Sequence, residues 1–209
     1  MVLDRPSVIE QQASALQGTD HERPPELRTD AFGACAGDTQ PARRVTYRGL
    51  HEAVCRLANA LLGLGLAKGD RIAILAYNCV EWCEIFAATA KAGLVALPIN
   101  FRLIGKEVQF IVNNAEAAAV IVQDELVGVV EEIRKDIPIK ADRFIHFGTK
   151  ACPAGYRDYE DILTAGSAAE PSQIVALPDP WTLMYPSGTT GNPKGVVRSH
   201  RSAVLLSMV

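Results

Sequence analysis

Leu50, Ala53, Val54, Leu57, Ala58, Leu61 and Leu62 recur at intervals of three and four, the spacing of one helical face. Thr46 is placed to cap the start of this helix. Gly49 stands where a capping box would carry Glu or Gln, so the box is incomplete. Gly63 and Gly65 stop it, because glycine takes the left-handed C-terminal conformation without steric cost. A turn at Lys68-Gly69-Asp70 leads into an apolar run of strand length, Ile72 to Ala76. Asn78 followed by Glu81 predicts the next helix start, with the helix running from Val80 to Ala92. Gly93 opens a second short apolar run, Leu94 to Leu97. The same reading gives a helix at Lys106 to Asn113, a strand at Ala119 to Gln123, a helix at Glu125 to Lys135 and a strand at Arg143 to Phe147.

Short continuous apolar strands alternating with amphipathic helices predict α/β architecture, with a parallel-rich sheet covered by helices on both faces. That fold hosts many functions and settles none of them. Residues 1–44 are weakly patterned: a short helix at Val8 to Leu16, a break at Pro24-Pro25, a strand at Glu26 to Asp30, and a loop through Gly37 and Asp38. Cys152 to Leu177 reads as a connector. The chain closes on an apolar run, Ala203 to Val209, with nothing after it to bury it, so truncation in mid-domain is the expectation.

Composition narrows the picture. The 209 residues are 48% hydrophobic and 22% charged, which excludes disordered, collagen-like and disulfide-scaffold classes. With a net charge of −3 and scattered Lys and Arg, nucleic acid is not an expected partner. Cys35, Cys55, Cys79, Cys83 and Cys152 form no C-x-x-C pair. Cys79 and Cys83 read as packing residues, and reduced thiols with a cytoplasmic location are expected. Met1 to Gln12 carries Asp4 and Glu10 and resembles no signal peptide, while Lys91 interrupts the best apolar run, Ile85 to Ile99.

The richest chemistry lies between two strand-like runs, Trp181 to Tyr185 and Val196-Val197. The segment reads Pro186-Ser187-Gly188-Thr189-Thr190-Gly191-Asn192-Pro193-Lys194-Gly195. Its glycines let backbone N–H groups turn inward, Ser187, Thr189 and Thr190 add hydroxyls, and Lys194 adds a mobile cation. Such a loop suits a polyphosphate. A flexible Ser/Gly/Thr linker is the plain alternative, and the flanking strands and the closing Pro-Lys-Gly argue against it. A Walker loop fails on spacing, because Pro193 occupies the place of its second glycine and Gly195 that of its Ser/Thr. A dinucleotide fingerprint at Gly63-x-Gly65 fails likewise, since its third glycine falls at Gly69.

Tyr185 to Val196 resembles the signature loop of the adenylate-forming superfamily: acyl-CoA synthetases, luciferases and peptide-synthetase adenylation domains. Pro186 stands where that loop usually has Thr. Thr46-Tyr47-Arg48, Lys68-Gly69-Asp70-Arg71, Ala90-Lys91-Ala92-Gly93 and Pro98-Ile99-Asn100-Phe101-Arg102-Leu103 extend the likeness, the last most toward the fatty acyl-CoA ligase branch. The resemblance implies one domain, with residues 1–44 as its N-terminal segment and 45–209 as the N-terminal part of the AMP-dependent synthetase/ligase domain. It implies that Ser187, Gly188, Thr189, Thr190, Gly191 and Lys194 hold the ATP phosphates. Magnesium would come with ATP, and a carboxylic acid and coenzyme A would be co-substrates. The catalytic residues and the acyl pocket would lie beyond Val209, so the fragment is expected to be inactive alone. Aryl-CoA ligase, luciferase-like and peptide-synthetase activities, and a non-catalytic nucleotide-binding module, are the alternatives. Trp82 is read as core, Arg102 as a partner for a helix-end carboxylate, and Asn100 as a cap or turn residue. His200, the one histidine near the loop in sequence, is read as structural, and His21, His51 and His146 show no chemical neighbours.

Overall fold

The computed structural model describes residues 26–27, 45–186 and 193–206. The expected helix at Val8 to Leu16, the Pro24-Pro25 break, the loop through Gly37 and Asp38 and the stretch Ser187 to Asn192 lie outside the described residues. Two short strands, β1 (Glu26–Leu27) and β2 (Val45–Thr46), pair antiparallel. Helix α1 (Tyr47–Gly63) follows at once, capped by Thr46, whose Oγ1 accepts the Gly49 N–H at 3.1 Å. It ends as expected, with Gly65 at φ +74° just past the last turn.

Then come β3 (Arg71–Leu75), α2 (Val80–Lys91), β4 (Val95–Pro98), α3 (Gly105–Asn114), β5 (Ala117–Gln123), α4 (Val127–Ile133, extended at both ends by 3-10 turns) and β6 (Phe144–Phe147). The elements predicted between Leu50 and Phe147 are all present, with ends shifted by a few residues at most. The start of α2 is one correction: the cap position falls on Cys79 rather than Asn78, and no side-chain capping hydrogen bond forms there. At α3 half a capping box forms, because Glu107 Oε2 accepts the Ile104 N–H at 3.0 Å.

The stretch expected as a connector holds two further elements, β7 (Arg157–Asp158) and α5 (Tyr159–Ala165). Asp158 caps α5, its Oδ1 accepting the Glu160 N–H at 2.9 Å and the Asp161 N–H at 3.3 Å. The last elements are β8 (Pro180–Met184), β9 (Val196–Ser199) and α6 (His200–Leu206). The apolar end is thus helical where it is described, with Ser199 Oγ accepting the Ser202 N–H at 3.3 Å.

One sheet of order β7-β6-β5-β3-β4-β8-β9 spans the domain, parallel throughout except for the antiparallel β8–β9 pair. On one face Ile72, Ile74, Ile121 and Ile145 pack under α1, α2 and α5; on the other Ala73, Leu75, Val120 and Val122 pack under α3 and α4. This is the expected α/β layering. A register shift between Arg71 and Ile72 admits one extra β5 residue, so Ala117 and Ala119 turn to opposite faces. Leu57 and Leu61 of α1 are fully buried, and truncating either to Ala would cost about 2–5 kcal/mol. Residues 166–179 then run back as a strap beside α1. Arg56 Nη1 donates to Gly166 O at 2.9 Å, Asn59 Nδ2 to Ser167 O and Ala169 O at 2.8 Å each, and Lys68 Nζ to Ile174 O at 3.0 Å. Buried Lys91 pairs with Glu170 on the same strap. A Cβ on Gly166 would lie 2.1 Å from Arg56 O, so only glycine permits this approach. Among the described residues no helix is long and apolar enough to cross a membrane.

β9 is an edge strand, and its Val196 and Val197 are 49% and 63% exposed. An exposed apolar edge offers unpaired backbone groups to a second chain. The 209-residue chain is therefore expected to self-associate as concentration rises on size-exclusion chromatography, and Val197→Lys to suppress this. A wild-type chain that elutes as a monomer over a hundredfold concentration range would show the edge to be inert.

Candidate functional site

The phosphate-loop candidate joins the open ends of β8 and β9. Met184 pairs with Val196 and Leu183 with Val197, so the loop opens from a strand pair and closes into one, with a strand and not a helix directly after it. This is the strand-to-strand placement that β-branched Val196 and Val197 predict, and it differs from the strand-to-helix placement of a Walker loop. Of the six expected phosphate-binding residues, Ser187, Gly188, Thr189, Thr190 and Gly191 lie outside the described residues. Lys194 is described and exposed, two positions before β9.

The base of the loop is fixed by packing. A Cβ on Gly195 would lie 2.8 Å from Leu183 Cδ1 and 3.2 Å from Tyr185 Cζ, so the two arms touch there. Tyr185 donates its hydroxyl to Asn114 Oδ1 at 2.6 Å, tying the first loop residue to the end of α3. Burial pushes the Tyr185 phenol above its ordinary value and keeps it a donor. Asn114 also walls an open depression of about 440 Å³ along α3, lined with Lys106, Gln109, Phe110 and Asn113.

At the other end of the strand pair stands a second cluster. Trp181 stacks on His200 with centroids 5.9 Å apart and an interplanar angle of 23°, and donates its Nε1–H to Phe86 O at 3.4 Å. Asp179 accepts from Lys68 at 2.7 Å and from the Ala176 N–H at 2.6 Å. The Lys68 hydrogen bond, foremost, holds its carboxyl below the ordinary range. His200 is close to the loop in sequence but not in space. It lies a strand length away, roughly 13 Å at about 3.4 Å per residue, and is 4% exposed with its Nε2 unpartnered among the described residues. Burial pushes its imidazole below the ordinary value. It packs, as the structural reading expected.

The remaining expectations divide. Asn100 does turn the chain, its Oδ1 accepting the Arg102 N–H at 3.0 Å, and Trp82 packs edge-on to Phe86 beside the core. Arg102 is a correction: its guanidinium lies over the Phe101 ring at 4.7 Å, where a carboxylate partner was expected. His51 and His146 also need correcting, since both have neighbours, Cys55 and Glu170 for one and Asp124 for the other. Those pairings join residues far apart in sequence or lie within ordinary-looking helix positions, so local pattern gave no sign of them. Among the described residues the cysteines at 55, 83 and 152 are free thiols.

The sequence profile of the AMP-binding enzymes matches residues 27–208. The chain belongs to that family. It falls in the adenylate-forming superfamily, on the fatty acyl-CoA ligase branch. This AMP-binding domain segment is 39% identical over 161 residues to a long-chain-fatty-acid–CoA ligase, FadD13, of Mycobacterium tuberculosis, covering 76% of this chain and 30% of that protein. It is 37% identical to a long-chain-fatty-acid–CoA ligase of Thermus thermophilus, covering 81% of this chain and 30% of that one. Among solved structures, the anthranilate CoA ligase AuaEII in complex with anthranoyl-AMP superposes with a TM-score of 0.76 at 27% identity, covering 86% of this chain and 35% of that chain. The AMP-binding segment thus spans about a third of the length of its relatives.

The lowered imidazole of His200 gives a pH prediction. Its folded pKa lies below its unfolded value, so the unfolded chain takes up the proton first. The stabilisation is complete above the ordinary imidazole value near about 6.5 and is lost as pH falls from there toward the folded value. The urea midpoint of the wild type is expected to drop between about pH 7.5 and 5.5, and His200→Phe, which keeps a ring against Trp181, to flatten that drop. Equal slopes in the two proteins would remove His200 as the source.

Proposed function

We propose that this segment holds the β- and γ-phosphates of ATP in an enzyme that converts a carboxylic acid to an acyl-adenylate and then to a coenzyme A thioester. The observation that carries the reading is the loop placement: a Ser/Gly/Thr-rich stretch closed by Pro193-Lys194-Gly195, seated between antiparallel strands and pinched at Gly195. Supporting it, two of the relatives are named long-chain-fatty-acid–CoA ligases, and the superposed anthranilate CoA ligase is bound to anthranoyl-AMP, an acyl-adenylate. The acid is proposed as a fatty acid on the same ground.

In the proposed mechanism the acid's carboxylate attacks the α-phosphorus of ATP and the bond to the bridging oxygen of pyrophosphate breaks. Charge accumulates on the departing phosphates. Inward-turned N–H groups and the hydroxyls of Ser187, Thr189 and Thr190 would meet it with short donors, and the Lys194 ammonium would neutralise it. Coenzyme A thiolate then displaces AMP from the acyl carbon. Magnesium would enter with ATP. The described residues flanking the loop, Tyr185, Pro186, Pro193, Lys194 and Gly195, include no carboxylate, so no magnesium ligand is assigned to them. We propose residues 1–44 and 45–209 as parts of one domain, which relies on sequence beyond this segment for the acyl pocket and the remaining catalytic groups, in a cytoplasmic enzyme.

The test uses single-turnover rates of both half-reactions in the longest gene product that carries this sequence. Lys194→Ala is expected to slow adenylation by roughly 30- to 1,000-fold, with thioester formation from supplied acyl-adenylate little changed. Lys194→Arg should recover part of the rate, because a planar guanidinium replaces a compact ammonium. Adenylation within about threefold of wild type in Lys194→Ala, under about 0.7 kcal/mol, or a loss confined to the thioester step, would take Lys194 out of this role.

A further inference from the structure

At the sheet edge opposite the phosphate loop, β6 and β7 run parallel, yet residues 148–156 join them without a crossover helix. Parallel neighbours usually need a dozen or more residues between them, so this turn requires other anchors. Asp124 is one. Its Oδ2 accepts the Thr149 N–H at 2.7 Å and the Lys150 N–H at 3.0 Å, and its Oδ1 lies 2.6 Å from His146 Nε2. The approach depends on Gly148 at φ +148°, where a Cβ would meet the Asp124 carboxylate at 2.2 Å.

That arrangement orients the imidazole. An ionised carboxylate only accepts, so His146 donates from Nε2, and in the neutral tautomer that fits this bond its Nδ1 presents a lone pair. His146 is 1% exposed, and this Nδ1 is buried without a hydrogen-bond partner among the described residues. His146, Cys152 and Asp158 each bring a ligand atom to within 4.8 Å of the other two. Asp158 has spent its Oδ1 on the α5 cap, which leaves Oδ2.

We propose that His146, Cys152 and Asp158 form a binding site for a zinc-class divalent cation, with Asp124 holding the histidine from behind. Imidazole nitrogen, thiolate and carboxylate are the zinc donor types, whereas calcium and magnesium take oxygen donors alone. Ligand bonds of about 2.0–2.3 Å set tetrahedral edges near about 3.3–3.8 Å. Cys152 is half-buried in the irregular connection between β6 and β7, while half-buried Asp158 ends β7 and caps α5, so the closing movement falls mainly to Cys152. A carboxylate on the far nitrogen of a ligating histidine is the usual second support of such a site. The cation would brace the end of β6 to the start of α5 across the irregular turn, with a water completing its shell. It stands apart from the phosphate chemistry at the other edge.

A rival thiol exists. Cys55 Sγ lies 3.7 Å from His51 Nε2 and 3.6 Å from Glu170 Oε2. There, however, the buried Lys91 ammonium already occupies Glu170 and would repel a metal ion. The experiment titrates cobalt(II) chloride into the untagged chain in the presence of a weak chelator and follows absorption. One equivalent is expected to bind with a thiolate-to-cobalt charge-transfer band and four-coordinate visible bands, all bleached by zinc. Cys152→Ser should abolish the charge-transfer band while retaining the native circular dichroism, Cys55→Ser should leave it intact, and Asp124→Asn should weaken affinity roughly 10- to 100-fold. No band in the wild type, a band that persists at full strength in Cys152→Ser, or one lost in Cys55→Ser would overturn the proposal.

Discussion

A parallel pair of strands cannot be closed by a tight turn, and from that constraint most of this domain follows. β3 lies between β5 and β4, both parallel to it, and each return to the sheet's starting edge must travel over a face. The chain sends α2 over one face and α3 and α4 over the other, so β3 is buried from both sides and reads as Ile72-Ala73-Ile74-Leu75 with no polar alternation. Only where direction reverses, between β8 and β9, does the chain pass directly from one neighbouring strand to the next in the antiparallel manner within this sheet. The glycine-rich segment falls at this place, between two strand ends, where a Walker loop would instead run from a strand into a helix.

The two edges solve the problem of the irregular connection differently. Beside β8 and β9 the base is closed by contact, with Gly195 against Leu183 and Tyr185, and by the Tyr185–Asn114 hydrogen bond. Beside β6 and β7 it is closed by charge, with one carboxylate, Asp124, accepting from two backbone N–H groups and one imidazole. A hydrogen bond to an ionised acceptor is worth roughly twice a neutral one, so a single residue can organise that turn. Arg134 adds to it, its Nη2 donating to Gly155 O at 2.6 Å and its guanidinium lying over the Tyr156 ring at 4.6 Å.

Long periodic elements were legible from the sequence because their signal is repeated. α1 offers seven apolar positions on one face, and no accident of a single residue hides them. α5 offers Tyr159, Ile162 and Leu163 within one short helix, among Gly, Pro and Ala residues that read as loop. Its Asp158 cap was visible but unsupported by periodicity. The motif at Ser187 to Lys194 could be read residue by residue because its chemistry is local. The partners that hold its strand pair could not: at the loop's base Asn114 lies far back along the chain from Tyr185, and at the other end Phe86 lies farther still from Trp181. Likewise the Asp124–His146 pair joins the ends of two neighbouring strands, a proximity that exists only once the sheet is assembled.

The strap of residues 166–179 shows how such assembly distributes evolutionary freedom. It is held mostly through its own carbonyl oxygens, which Arg56, Asn59 and Lys68 reach from the outside. Every amino acid supplies a carbonyl, so apart from Gly166, Glu170, buried Pro171 and Asp179 the identity of the strap residues matters little to its attachment. The burden of specificity falls on three donors that sit on or just after a helix elsewhere. Lineages can therefore rewrite most of the strap, altering its surface charge and shape, without loosening it from the domain. A low-diversity library at positions 56, 59 and 68 and a high-diversity one across 167–178, with Glu170 and Pro171 held fixed, describe the same attachment from its two sides.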